Sequence, residues 1–233
     1  MKKVGLIIFA AALVSGVVLA NAFSFGRSDF RVFDLKLKFG GVKGSGNVVT
    51  EKRGVSDFSK IVVGGVFNVE IVAGREYSVE VTADDNLLPY IETETHGDTL
   101  DIRLTKRVSR HSELKVKITA PVIDGVESGG ASRIDVSGVT GDTFDLDTSG
   151  ASRVTLRGDV NNAVIRASGA GSVDAGDLRA ANADVDASGA AKVAVNVSGH
   201  LKADASGASR ISYRGSPASV ERHTSGAGSV DQR

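Results

Sequence analysis

The chain has 233 residues, 28 basic and 28 acidic side chains that cancel to zero formal net charge, and no cysteine. The balanced total gives no pointer to nucleic acid or an acidic polymer as partner, and the lack of cysteine excludes disulfides, thiolate metal sites and a lipid-modified N-terminal cysteine. Abundant glycine with only three prolines suits tight turns between many short strands rather than disorder, and collagen would need a strict three-residue period.

Lys2 and Lys3 precede an apolar run from Val4 to Ala20, and Ala20-Asn21-Ala22 puts small residues where a signal peptidase reads. Residues 1–22 therefore read as a signal peptide cleaved after Ala22, which predicts export to the periplasm, the outer membrane or the cell exterior. An uncleaved membrane anchor is the alternative, since the run approaches the length of a short spanning helix. Small residues at its end and the absence of an immediate basic stop favour cleavage. Residues 23–53 read as a linker or N-terminal extension that carries five phenylalanines from Phe23 to Phe39 and ends in GGVKGSGN at 40–47. Within it RVFDLKLKFG alternates well enough to be a strand.

Residues 54–120 read as a β-rich N-terminal part. Phe67, Val69 and Ile71 alternate with Asn68 and Glu70, Ala73-Gly74-Arg75-Glu76 reads as a turn, and Val79 and Val81 alternate with Glu80 and Thr82. ADDNLLPY at 83–90 predicts one helical turn, capped by Asp84 or Asp85 and stopped by Pro89. IETET and TLDIRL flank His96-Gly97-Asp98, a hairpin signal in which glycine is free to take positive φ. LKVKITA is a further strand that ends at Pro121.

Residues 121–233 repeat one phrase six times, SGGASRI, SGASRV, SGAGSV, SGAAKV, SGASRI and SGAGSV. The glycine before the alanine falls at Gly130, Gly150, Gly169, Gly189, Gly207 and Gly226, giving intervals of 20, 19, 20, 18 and 19. Such self-similarity signifies a stacked array. Four residues before each glycine stand Val126, Leu146, Ile165, Val185, Ala203 and Arg222, and four after it Ile134, Val154, Val173, Val193, Ile211 and Val230. Small residues, from Ser128 to Thr224, stand two before it. This is strand alternation on both sides of a glycine corner. The prediction is an all-β fold: a right-handed parallel β-helix or solenoid-like stack of about 19-residue turns, with strands of about four to six residues, preceded by the β-rich N-terminal part. At about 4.8 Å per turn the five intervals span roughly 24 Å. Ser149, Ser168, Ser188, Ser206 and Ser225, each just before its glycine, are placed to form a hydroxyl ladder that satisfies corner amides.

The outer face is patterned as well. Glu127, Asp147, Arg166, Asp186, Asp204 and His223, three before each glycine, form a mostly acidic ladder. Arg133, Arg153, Ser172, Lys192, Arg210 and Ser229, three after it, form a mostly basic one. Exposed pairs of this kind contribute about 0–1 kcal/mol each, so their value lies in solubility and in blocking edge pairing.

Stacked-turn folds invite a search for acid pairs. Asp145 with Asp147 and Asp184 with Asp186 sit at spacing two on one strand face, as a sugar-cleaving dyad or a calcium site requires. They lack arginine, aromatic and asparagine residues around them to orient a sugar, and a solvated strand face is the simpler reading. Asp135, Asp174 and Asp231 faintly echo a glycine-aspartate calcium repeat, whose nine-residue period is absent. His96, His111, His200 and His223 have no metal-ligand spacing and read as surface residues. No G-x-S-x-G elbow and no GK[ST] phosphate loop occurs, and the basic run from Arg103 to Lys117 is interleaved with acids like a solvated loop. No catalytic, cofactor-binding or metal-binding residue is therefore assigned, and no cofactor.

Residues 44–104 carry Gly44, Gly46 and Asn47, then Arg53, Phe58, Ile61, the VEI at 69–71, Gly74, Asp85-Asn86-Leu87-Leu88, Ile91-Glu92-Thr93 and Leu100. In that order, and followed by repeats of SGxxxV type, they resemble the bacterial family known as putative auto-transporter adhesin, head GIN domain, across roughly residues 44–233. The resemblance implies an exported, β-rich protein of repeated turns with no catalytic or cofactor residues to carry over. The chain departs from it in showing no membrane-anchoring barrel before Arg233, so a small secreted or periplasmic protein is expected rather than an independent autotransporter.

The leading expectation is thus a non-enzymatic module for adhesion, envelope binding or scaffolding, with an envelope or surface glycan or protein as ligand and no nucleic-acid partner. One alternative is a glycan-active enzyme using Asp145, Asp147, Asp184 or Asp186. Another is a self-assembling envelope protein that forms homo-oligomers through the solenoid ends, since the last repeat offers no obvious polar cap after Val230.

Overall fold

The computed structural model describes residues 41–109 and 113–233. The predicted signal peptide, its cleavage point, the predicted strand at RVFDLKLKFG, Arg110 and His111 lie outside the described residues.

Among the described residues, strands form where the alternation predicts them. They are Val48–Arg53 (β1), Lys60–Gly65 (β2), Asn68–Ala73 (β3), Ser78–Asp84 (β4), Ile91–His96 (β5), Thr99–Leu104 (β6), Lys115–Ala120 (β7) and Gly125–Gly130 (β8). Then come Arg133–Gly150 (β9), Arg153–Ala167 (β10), Ser172–Ala187 (β11), Lys192–Ala205 (β12), Arg210–Arg214 (β13), Ser219–Thr224 (β14) and Ser229–Gln232 (β15). From β8 onward each turn pairs in parallel with the next, so the expected β-solenoid is present. Strand length departs from expectation: β9 to β12 run 14 to 18 residues instead of about four to six. The chain keeps its ladder hydrogen bonds through the bend opposite the SGA corner, where a register shift absorbs the varying repeat length.

The corner is a backbone device. The amides of Ala151, Ala170, Ala190, Ala208 and Ala227 donate to the carbonyls of Gly130, Gly150, Gly169, Gly189 and Gly207 one turn below, at 2.6 to 2.8 Å. The same carbonyl occupies the space that a Cβ on the glycine above would need, with 2.6 Å left at Gly189 and 2.9 Å at Gly226. All six glycines also have positive φ. The corner amides are thus satisfied by carbonyls and not by the expected hydroxyl ladder. Ser149 and Ser168 hydroxyls donate to the Ser128 and Thr148 carbonyls at 3.5 and 3.3 Å. The hydroxyl residues two after the glycine, Ser132, Ser152 and Ser209, are buried, as are Ser128, Thr148 and Ser212.

Inside, the columns four before and four after the glycine are buried in every turn except at Arg222. A third column reads Phe144, Ala163, Ala183, Leu201, with the two alanines filling beside the larger groups. Thr148, fully enclosed in the small-residue column, has a hydroxyl with no hydrogen-bond partner.

The stack does not begin at residue 121. Gly65 ends β2, and Ala131 donates to its carbonyl at 3.0 Å, so β2 and β3 form the turn beneath β8 and β9. On the other side of β2 and β3 lie β6 and β7, again parallel. β7 therefore stands between β3 and β4, and the 73–76 turn does not close a hairpin. Antiparallel additions finish this end, β5 on β6 across Gly97-Asp98 as the hairpin signal predicts, and β4 then β1 on β7. Val48–Arg53 is thus an ordered edge strand at the end of the stretch read as a linker.

The predicted helical turn is a 3-10 turn, Leu88–Tyr90, with Pro89 inside it and no side-chain cap. Its aspartates pin the GSGN segment instead. Asp84 accepts from the Gly46 amide at 2.9 Å, and Asp85 accepts from the Ser45 hydroxyl and, at 2.9 Å, from the Asn47 amide group. These bonds hold the Asp85 carboxyl below the ordinary range, the Ser45 hydroxyl first among them. At the opposite end the inward position is filled by Arg222, whose guanidinium bonds the Tyr213 hydroxyl and lies 5.3 Å from its ring centre. This supplies a polar cover that the sequence did not reveal.

Gly150→Ala should lose about 2 kcal/mol or more in urea unfolding, because strain and overlap coincide there. Gly54→Ala, with open space around it, should stay within about 0.5 kcal/mol. Because the Asp85 carboxyl is depressed in the folded state, its contribution is full above the ordinary carboxylate range and is lost as pH falls through the depressed value. Carboxyl NMR titration should find Asp85 low in the parent and moved up toward the ordinary range in Ser45→Ala.

Candidate functional site

The register places both outer ladders where the repeat predicts. Glu127, Asp147, Arg166, Asp186, Asp204 and His223 are consecutive neighbours on one flank of the corner. Arg133, Arg153, Ser172, Lys192, Arg210 and Ser229 are consecutive neighbours on the other. Between them run the exposed corner alanines and serines. A shallow groove follows each flank, one of about 430 Å³ on the basic side and one of about 350 Å³ on the acidic side.

On the acidic flank, one carboxylate oxygen from each of Asp184, Asp186 and Asp204 lies within 4.8 Å of the others. Lys202 already supplies a cation there, with Nζ 3.5 Å from both Asp184 and Asp204, and these carboxylates raise the lysine pKa, Asp184 first. Asp204 is also 3.2 Å from His223 Nδ1. The other pair, Asp145 and Asp147, is separated from Asp184 and Asp186 by the turn that carries Val164 and Arg166. The two pairs are therefore about 9.6 Å apart along the stack, and a cation stands between their lower members. The column of Asp135, Asp174 and Asp231 is interrupted at Thr155, Ala194 and Ser212, so no two of the three are adjacent.

The described histidines are all exposed, His96 beside Glu94 at 3.4 Å, His200 beside the Ser219 hydroxyl at 2.6 Å and His223 between Asp204 and Glu221. The basic run disperses: Arg103 binds Glu92, Asp101 and Glu94 at 2.9, 2.7 and 3.2 Å, Lys106 stands 4.3 Å over the Tyr90 ring, and Lys115 pairs with Glu113. The basic flank differs. Among the described residues no carboxylate lies within 4.0 Å of the cationic groups of Arg133, Arg153, Lys192 or Arg210.

One signal went unread in the sequence. Applied to Gly65, the column rule finds Ile61 four residues before and Val69 four after, and it marks the extra turn that puts Asn68 below Arg133 at the head of the basic flank.

Stacked turns, a capped end and two charged flanks along one glycine corner define a β-solenoid that presents repeating surfaces. The chain belongs to the family described as putative auto-transporter adhesin, head GIN domain, whose model matches residues 57–217. Among solved structures it is similar to a putative adhesin from Bacteroides fragilis, at 23% identity and TM-score 0.71, covering 83% of this chain and 100% of that one. A putative adhesin from Parabacteroides merdae is 20% identical with TM-score 0.54, covering 82% and 98%. A putative lipid binding protein from Parabacteroides distasonis is 20% identical with TM-score 0.50, covering 82% and 99%. At these identities the likeness is one of fold. No curated protein matches the sequence.

Lys202 should titrate above the ordinary lysine range and return toward it in Asp184→Asn/Asp204→Asn, as side-chain amine NMR can follow. Since the folded value is raised, the ion pairs stabilise below the ordinary lysine range and lose their effect as pH rises through the raised value.

Proposed function

We propose that this protein is a non-catalytic binding module of adhesin type that acts at the cell envelope or surface through the flanks of its solenoid. The observation that carries the reading is the in-register segregation of charge on either side of the corner, which offers a repeating, open surface of the kind an extended polymer or another protein surface can lie along. Family membership supports adhesion, and export follows from the reading of residues 1–22. The acid pairs fit this picture as elements of a solvated flank, because Lys202 and Arg166 are interleaved with them.

Purified full-length protein screened against glycans, peptidoglycan, lipid vesicles and envelope extracts should give saturable binding to at least one class, weakened by charge substitutions on a flank. Absence of binding to every class, or hydrolysis of a glycan that disappears in Asp184→Asn/Asp186→Asn, overturns the reading.

A further inference from the structure

Arg133 and Arg153 are direct neighbours in the parallel register, both exposed, with their backbones about 4.8 Å apart. Like charges placed directly opposite are destabilising unless something neutralises them. Arg179 meets Asp159 one turn below and Arg103 meets three carboxylates, whereas Arg157, Arg166 and Arg214 stand apart from one another and have no carboxylate within 4.0 Å among the described residues. Arg133 and Arg153 differ in being stacked directly on each other. Here Asp135, two residues after Arg133 in the same strand, and Asp174, in that column two turns on and so one turn beyond Arg153, both stay beyond 4.0 Å. Arg133 and Arg153 line the groove of about 430 Å³ together with the small side chains of Ala131, Ala151 and Ala170 and, at its Asn68 end, Glu113, whose carboxylate accepts from the Asn68 amide group at 3.2 Å and pairs with Lys115 at 3.4 Å. Asn68 and Ser172 continue the row by one turn on either side and add hydrogen-bonding groups at its ends. Beyond Ser172 the row carries Lys192 and Arg210.

We propose that Arg133 and Arg153 form an anion subsite for a linear acidic polysaccharide, and that the chain of sugars lies along the basic flank past Ser172 toward Lys192 and Arg210. The occupant is assigned by charge complementarity and by the shape of the row. A guanidinium pair binds a carboxylate or sulfate through several directed N–H groups. The open groove gives room for a sugar ring, and the repeat places further cations along one line, which rewards a ligand with repeated anionic groups. Zero net charge of the whole chain conceals this, because acids elsewhere in the sequence balance the row in the sum.

The inference rests on the binding-module reading and narrows it to one flank and one ligand class. Full-length protein is titrated with polygalacturonate, with dextran as the neutral polymer and a single-stranded oligonucleotide as an anion of another class. The expected result is saturable, salt-sensitive binding of polygalacturonate, lowered about tenfold or more in Arg133→Ser/Arg153→Ser. Lys202→Ser, which removes a cation from the opposite flank, should change it less than about twofold. Circular dichroism and urea unfolding verify that the variants fold like the parent. Failure to bind polygalacturonate, equal loss in Lys202→Ser, or tighter binding of the oligonucleotide overturns the subsite. Dextran or an envelope ligand bound equally by parent and Arg133→Ser/Arg153→Ser overturns it too while leaving the binding-module reading intact, whereas no binding in any arm or in the wider screen removes both.

Discussion

Everything in this molecule depends on one contact, the hydrogen bond from the alanine amide to the glycine carbonyl of the turn below. The bond brings two corners close enough that the carbonyl fills the place of a side chain on the glycine above. Alanine can follow because its own side chain points outward, while a glycine is compulsory one position earlier. With the corner fixed, the strands on both sides are locked in register. A residue three or four positions from the glycine then has its side of the sheet decided, outward or inward.

Register converts a one-dimensional repeat into surfaces. Inward columns tolerate Val, Ile, Leu or Ala because a large group in one turn can fill beside small groups in the next, as Phe144 and Leu201 do on either side of Ala163 and Ala183. Outward columns accumulate charge of one sign, and the two flanks meet this differently. On the acidic side Arg166, Lys202 and His223 are interleaved with the aspartates. On the basic side no carboxylate among the described residues lies within 4.0 Å of Arg133 or Arg153, and their neighbours in the row are an asparagine and a serine.

Most of the stack was legible because glycine, alternation and period are local signals. Val126 to Ala203 and Ile134 to Val230 could be assigned inward from spacing alone, and both charged ladders follow from the same count. What was not legible depended on partners far apart in the chain. Nothing near Asn68 announces that Lys115 is its neighbour on the side away from Arg133. The Asp84 and Asp85 side chains read as helix caps because that is the nearest use for them, whereas their partners lie about forty residues away in GSGN. The same limit hid the missing carboxylates beside Arg133 and Arg153. A ladder's sign can be read from sequence, but whether each charge is answered is a matter of distances. Arg222 shows the converse, since an outlier in an apolar column gains its meaning only beside Tyr213.

The order of turns along the stack differs from their order along the chain, with β2 and β3 held between β6 and β7 on one side and β8 and β9 on the other. As the polypeptide emerges from the ribosome, β2 and β3 therefore wait for β6 and β7, about forty to fifty positions later, to cover one edge, and for β8 and β9, about sixty-five positions later, to cover the other. The later turns have no such delay, for each can settle on the one made just before it. Assembly is then slow and committed at the N-terminal end and zipper-like thereafter. The number of SGA turns can consequently change over evolutionary time without disturbing the step that decides whether the chain folds at all.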